Sequence, residues 1–342
     1  MNGYERIRAV LRGEKPDKVP LMLHSFMPAA AEAGFSMEEY RSNAKNMAQA
    51  HLKFARKYGL DGILLDVDTT LEAGAIGAQI DYPHDAPARV TGPAAHNIDQ
   101  LIEIMSPEKL HLNDRIKVML EAVRIMKREA GGEIFIRGNC DQMAFSLAIL
   151  CYGMEDFLAD LLDEELEDKI LCLIDRALWV HLEFHRMMAE AGADITSFGD
   201  SSCGPELISR DMFLKYSFPF HCKLKKELDS LGIDTICHIC GNLDRIIMDL
   251  ADVNYAGLEI DYKTDIKRAA HIMKGKSVIF GPIDPSGVFY YGNPELIKRE
   301  TLRVLDYFKG TGIVLGAGCA IPREASEINF RSFVETARCY HI

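Results

Sequence analysis

One short segment of the chain places two metal-binding side chains where they can act together: Cys237-His238-Ile239-Cys240-Gly241-Asn242. On a β-strand, residues i and i+2 face the same side, so His238 and Cys240 project together while Cys237 turns away. Imidazole nitrogen and thiolate sulfur hold Zn²⁺ at about 2.0–2.1 Å and about 2.3 Å respectively. Two donors make an incomplete site. A third stands near the end of the chain, in Gly316-Ala317-Gly318-Cys319-Ala320-Ile321-Pro322. His238, Cys240 and Cys319 together would leave the fourth tetrahedral position open to a water or a substrate. The spacing alone suits equally well two small core cysteines beside a hydrogen-bonded histidine. Cys140, Cys151, Cys172, Cys203, Cys222 and Cys339 have no partner spacing and read as packing residues.

The elements that must position these groups recur along the chain as a short apolar run, a turn and an amphipathic helix. The strand-like runs are Val19–Phe26, Gly62–Asp68, Glu133–Asn139, Ile195–Asp200, Asp234–Cys240, Ala256–Asp261, Ser277–Ile283 and Gly312–Gly318. Most are nearly continuous in apolar residues, as in parallel strands buried on both faces. Helical periodicity fills the gaps, for example over Asp114–Arg128, Glu164–Ala191 and Pro294–Phe308. This alternation predicts an α/β fold, a single (β/α)₈ barrel over residues 1–342 with an N-terminal helical extension. The region from Asp81 to His111 is expected to decorate it. An open doubly wound sheet is the alternative, but no Gly-rich dinucleotide fingerprint follows the first strand.

Reactive groups of such barrels gather at the C-terminal ends of the strands. Those ends carry His24, Asp66 and Asp68, Asn139 and Asp141, Asp200 and Ser201, His238 and Cys240, Glu259 and Asp261, Asp284, then Cys319. The series predicts a polar mouth and thus a binding site. Some members, Asp141 and Ser201 or Ser202 among them, equally suit helix N-caps. His24 suits substrate binding or the fixing of a loop. Asp66 and Asp68, at i and i+2, are expected to face the mouth together. His181 and His185, four apart with no third donor nearby, are expected on a helix surface.

Composition narrows the class. Hydrophobic residues make up 48% and charged residues 26%, an ordinary globular balance. Acidic residues outnumber basic ones 51 to 39 for a net charge of −12, the wrong sign for a nucleic-acid partner. No run approaches the ~18 apolar residues of a membrane span, and the charged opening Met1-Asn2-Gly3-Tyr4-Glu5-Arg6 is unlike a secretion signal. Nine scattered cysteines, an odd number, suit reduced thiols, so a cytoplasmic protein is expected.

The chain also resembles the uroporphyrinogen decarboxylase superfamily nearly end to end. The opening Glu5-Arg6-Ile7-Arg8-Ala9-Val10-Leu11-Arg12-Gly13-Glu14-Lys15-Pro16-Asp17-Lys18-Val19-Pro20 carries the likeness. So do Gly199-Asp200 with Pro205-Glu206-Leu207-Ile208-Ser209, Phe218-Pro219, the His238 to Asn242 segment, Gly281-Pro282-Ile283-Asp284-Pro285 and Gly318-Cys319. The resemblance implies a (β/α)₈ barrel. The family's metal-free decarboxylases carry a Gly-His-Gly-Ile-like turn after the last strand, where this chain reads Gly318-Cys319-Ala320-Ile321. They also carry an arginine-rich segment after the first strand, whereas here His24-Ser25-Phe26-Met27-Pro28-Ala29-Ala30 precedes any arginine up to Arg41. An octacarboxylate tetrapyrrole is a poor match for a mouth expected to hold Asp66, Asp68 and Asp200 without arginines.

The corrinoid-linked methyltransferase branch, which includes methylcobamide:coenzyme M methyltransferases, is the better likeness, since its mark is H-x-C plus a distant cysteine. That likeness implies His238, Cys240 and Cys319 as zinc ligands and catalytic residues. It implies methyl transfer between a corrinoid protein and a small thiol or methoxylated substrate, with uroporphyrinogen decarboxylation as the alternative. The corrinoid would arrive on a partner, since no Asp-x-His-x-x-Gly segment is found here. His24, Asp66, Asp68, Asn139 and Asp200 would orient the substrate, and Glu259 or Asp261 would support the metal or serve as a displaced fourth ligand. After Cys319 the chain departs from the family's frequent Thr-Pro and reads Arg323-Glu324-Ala325-Ser326.

Overall fold

A computed structural model of the chain describes residues 1–310 and 312–341. Its strands are β1 (Met22–Leu23), β2 (Gly62–Leu65), β3 (Gln79–Asp81), β4 (Arg89–Gly92), β5 (Phe135–Gln142), β6 (Ile195–Gly199), β7 (Thr235–Ile239), β8 (Gly257–Ile260), β9 (Val278–Ile283) and β10 (Ile313–Ala317). Eight of them form one sheet in the order β1-β2-β5-β6-β7-β8-β9-β10, every neighbour parallel. A bridge from Leu21 to Leu315 brings the two edges together. Helices separate consecutive barrel strands, so this is a (β/α)₈ barrel, as the periodicity predicts.

The first strand is shorter than its apolar run. Pro20 has no N–H for a ladder, and Phe26 already begins the helix Phe26–Ala33. The expected decoration is a two-stranded antiparallel hairpin, β3 with β4, followed by the helices Ile98–Ile104 and Glu108–Leu112.

Alternation along the strands decides what faces the barrel interior. Met22, Leu64, Phe135, Ile195, Ile236, Phe280 and Val314 form one buried cluster inside it, together with Ile7 and Val10. Ile7 and Val10 belong to the helix Gly3–Leu11, whose start is secured by a capping box between Asn2 and Glu5. This N-terminal helix therefore closes the bottom of the barrel. Residues of the opposite parity, such as Phe198, Cys237, Leu258 and Ile260, belong to the larger core between strands and helices.

His181 and His185 correct the surface expectation, because both are fully buried on the helix Glu167–Ala191. Glu72, also fully buried, lies 3.1 Å from His181 Nδ1. His181 Nε2 meets His185 Nε2 at 3.1 Å, and His185 Nδ1 meets Thr196 Oγ1 at 2.8 Å. Burial pushes the Glu72 carboxyl well up and His181 down to about 3, so a protonated Glu72 beside two neutral imidazoles satisfies every contact. The chain of bonds ties the helix to β6. Replacing His181 by leucine would leave the Glu72 carboxyl hydroxyl and His185 Nε2 each without the group they bond, although Gln142 N still reaches Glu72 and Thr196 still meets His185 Nδ1. Urea denaturation should register a loss of about 2–5 kcal/mol. Glu72→Gln keeps a donor toward His181 and should cost much less.

Candidate functional site

The interior parity of β7 continues from Ile236 to His238 and, just past the strand, to Cys240. His238 Nε2 lies 3.1 Å from Cys240 Sγ, and Cys240 Sγ lies 3.9 Å from Cys319 Sγ. All three donor atoms fall within 4.8 Å of one another. Cys319 reaches this point because Gly318 lets the turn after β10 pass close to β8. A Cβ at Gly318 would stand 2.5 Å from the Ile260 carbonyl oxygen. His238 Nδ1 donates to the Glu259 carbonyl oxygen at 3.1 Å, which leaves Nε2 toward the sulfurs. Cys237, on the other parity, is fully buried in the outer core.

The three residues fit a zinc ion. A tetrahedral centre with zinc–sulfur and zinc–nitrogen bonds of the usual lengths has donor–donor edges of roughly 3.5–3.8 Å. The observed separations of 3.1 and 3.9 Å bracket that range. A hydrogen bond from the second imidazole nitrogen to a carbonyl is the usual support of a histidine ligand. Without an ion the cluster favours one thiolate, on Cys240, while the hydrogen bond to Cys240 and burial push the Cys319 thiol up. The hydrogen bond from Cys319 holds the Cys240 thiol well below its ordinary value against the effect of burial, and His238 adds to this. Burial alone would lower His238, but the neighbouring Cys240 sulfur raises it.

Below these donors a line of charged groups crosses the barrel. Asp66 accepts from His24 Nε2 at 2.7 Å and from Asn139 Nδ2 at 2.9 Å. His24 Nδ1 faces Glu259 Oε1 at 3.4 Å without hydrogen-bond alignment. Glu259 Oε2 accepts from Arg137, and Glu259 Oε1 lies 3.7 Å from His238 Nδ1. Burial opposes the charge on His24, but Asp66 and Glu259 override it and raise the imidazole to about 9. Burial likewise disfavours the Glu259 carboxylate, and the Arg137 guanidinium together with the His24 and His238 imidazoles more than offsets this.

His24 therefore couples stability to pH. Its folded value lies above the unfolded value of about 6.5, so its contribution is complete below pH ~6.5 and is lost as pH rises through about 9. That interval corresponds to about 3 kcal/mol. Urea denaturation at pH 6.5 and pH 10 should show this loss in the wild type and a flatter profile in His24→Gln. Equal pH dependence in both would mean that His24 is not held as an imidazolium.

Other candidates fall elsewhere. Asp68 is turned to Arg115 and Thr70, so it does not face the mouth beside Asp66. Asp200 shares the outward parity of Thr196 and Phe198 and is fully buried behind the strand. It accepts from Ser146 Oγ at 2.6 Å, Ser217 Oγ at 3.1 Å and His221 Nε2 at 3.2 Å, a structural knot and not a mouth group. Cys203 completes a second cluster with Asp200 and His221, but these bonds already engage the Asp200 and His221 donor atoms. Asp261 accepts from Gly241 N at 3.0 Å and so fixes the turn that follows Cys240. Asp141 does not cap the helix that follows it: it lies in β5 at φ 64° and accepts at 2.8 Å from Glu72 N, in the first turn of the helix Leu71–Ile76. One residue of consequence inside the barrel went unread in the sequence. Arg137 is an arginine inside the apolar run of β5, and its parity with Phe135 and Asn139 places it in the barrel. It and Arg115 also amend the expectation of carboxylates without arginines. Ser201 donates from its hydroxyl to Cys240 Sγ at 3.3 Å.

The sequence model of the uroporphyrinogen decarboxylase (URO-D) family matches residues 2–340. The chain belongs to the uroporphyrinogen decarboxylase family. A methylcobamide:CoM methyltransferase of Methanosarcina acetivorans is 27% identical over 98% of this chain and 97% of its own length. A second, from Methanosarcina barkeri, is 25% identical with the same coverage. The solved structure of a methyltransferase from Methanosarcina mazei superposes with a TM-score of 0.89 at 25% identity, covering 98% of each chain. These relatives support an enzyme. Among the described residues, no helix is long and apolar enough to cross a membrane.

Proposed function

We propose that this protein is a zinc-dependent methyltransferase that moves a methyl group between a corrinoid protein and a small thiol or methoxylated substrate. The observation that carries the reading is the convergence of His238 Nε2, Cys240 Sγ and Cys319 Sγ at the C-terminal end of the barrel. These three would hold the ion and leave one position for the substrate. Zinc bound there supplies Lewis acidity, which makes a substrate thiol available as thiolate near neutral pH.

The chain's own residues do the rest. Two thiolates and a neutral imidazole cancel the charge of a divalent ion, so an entering thiolate retains negative charge on its sulfur. His238 is oriented by the Glu259 carbonyl and Cys240 by the turn that Asp261 pins. His24, Asp66, Asn139 and Glu259 form the polar floor beneath the donors and would orient the small molecule. The corrinoid is read as arriving on a partner protein, and the site is read as working in the cytoplasm.

The test is methyl transfer by the purified protein from methylcobalamin to a panel of small thiols, followed as loss of the methyl-cobalt absorbance and formation of the methyl thioether. The expected result is thioether formation that a strong chelator abolishes and added zinc restores. Conversion of uroporphyrinogen to coproporphyrinogen at an enzymatic rate, unaffected by chelation, would overturn the reading.

A further inference from the structure

The Cys240 sulfur receives one contact that the metal does not require. Ser201, from the turn after β6, donates its hydroxyl to Cys240 Sγ at 3.3 Å. Much of the surrounding structure serves to keep that turn in place. Asp200, immediately before it, is anchored by Ser146, Ser217 and His221, and Ser202 N donates to Ser146 Oγ at 3.0 Å. Gly204 ends the turn where an added Cβ would meet the Cys240 carbonyl oxygen at 3.2 Å and Ile239 Cγ2 at 3.3 Å. A larger residue there would push the turn away from β7. Asp200 is thus buried and unavailable to substrate, yet it fixes the neighbour that touches a donor sulfur.

We infer that Ser201 is a positioning residue whose hydrogen bond orients the Cys240 sulfur and lowers its nucleophilicity, directing the methyl group to the substrate and away from the protein. This inference rests on the methyl-transfer reading. With metal bound, Cys240, Cys319 and the substrate would present three thiolates at one place, each able to attack a methyl donor. Attack by Cys240 would form an S–CH₃ bond while the donor's bond to carbon breaks and its leaving group departs with the electron pair. The cysteine would become a thioether, a weak acceptor, and the site would lose a ligand. A hydroxyl bonded to the thiolate opposes this, because the bond weakens as the sulfur's charge is consumed. Hydrogen bonds to charged groups are strong enough for that loss to slow attack by roughly tenfold.

Methyl iodide serves as the probe, with iodide as leaving group. Zinc-loaded wild type, Ser201→Ala and Ser201→Thr are treated with it, and peptide mass spectrometry reads methylation at Cys240 and Cys319 separately. Cys240 is expected to be methylated about tenfold faster in Ser201→Ala, with Cys319 unchanged and Ser201→Thr close to wild type. In cobalt(II)-substituted protein, the thiolate-to-cobalt absorption band should move to lower energy in Ser201→Ala and return in Ser201→Thr. Equal Cys240 rates and superimposable bands in protein that holds its metal would overturn this inference alone. A wild type that binds no zinc would overturn the methyl-transfer reading, and this inference with it.

Discussion

Replacing Cys319 by serine is expected to take bound zinc from about one ion per chain to a small fraction of that, with methyl transfer lost in parallel. A hydroxyl beside thiolate and imidazole is a poor zinc ligand, because it is harder and stays protonated at neutral pH. Cys319 is the donor best suited to this test, since it comes from a different strand than the other two and its half-buried turn tolerates a polar atom. Replacing Cys237 by alanine is the control. That residue sits in the same strand, one position from His238, but its side chain lies in the outer core. Its loss should cost some stability and leave metal content near one per chain. Metal analysis of the two purified variants decides between them. Equal loss from both would mean that zinc, if bound, is not held by this cluster.

The second large effect is expected at Arg137. This guanidinium is buried inside the barrel, bonded to Glu259 and lying over the Phe280 ring at 5.6 Å. Arg137→Met keeps most of the volume and removes the charge, leaving Glu259 buried with only the His24 and His238 imidazoles close to it. Breaking one side of a buried pair typically costs about 3–5 kcal/mol, most of it the penalty of the uncompensated partner. The double variant Arg137→Met with Glu259→Gln should recover much of that loss, since no buried charge is then stranded. Urea denaturation of the two single variants and the double variant measures this directly. A single variant as stable as the wild type would mean that the pair is not closed in solution.

The fold was legible in the sequence because parallel barrel strands are apolar on both faces and stand out as runs, each followed by helical periodicity. Its weakest boundary was the first strand, where Pro20 accepts from Leu315 N but has no N–H to donate and the Leu21 N–H goes to the Asp61 carboxylate, so the ladder stops short of the apolar run. The metal-donor cluster was legible for a different reason: the i, i+2 spacing of His238 and Cys240 survives as shared strand parity. The same rule explains the failure at Asp200. It ends its strand just as Asp66 does, but its parity follows Thr196 and Phe198, so it faces the helices. Strand ends read without parity admit such residues. Asp68 failed otherwise, since it lies past the end of β2 and its partner Arg115 comes from a distant helix. Contacts between segments far apart in sequence, such as Glu72 with His181 or Ser201 with Cys240, leave no local signal. Arg137 did leave one, a lone cation within an apolar strand at the interior parity.

The proposed chemistry requires one metal ion among His238, Cys240 and Cys319 with a position open to a substrate sulfur. Zinc K-edge X-ray absorption on the purified protein, with and without a small thiol, tests it most directly. The expected result is about one zinc per chain, with two sulfur neighbours near 2.3 Å and nitrogen or oxygen neighbours near 2.0–2.1 Å, rising to three sulfurs on thiol addition. A protein without zinc, or a sulfur count that stays the same when thiol is added, would contradict it.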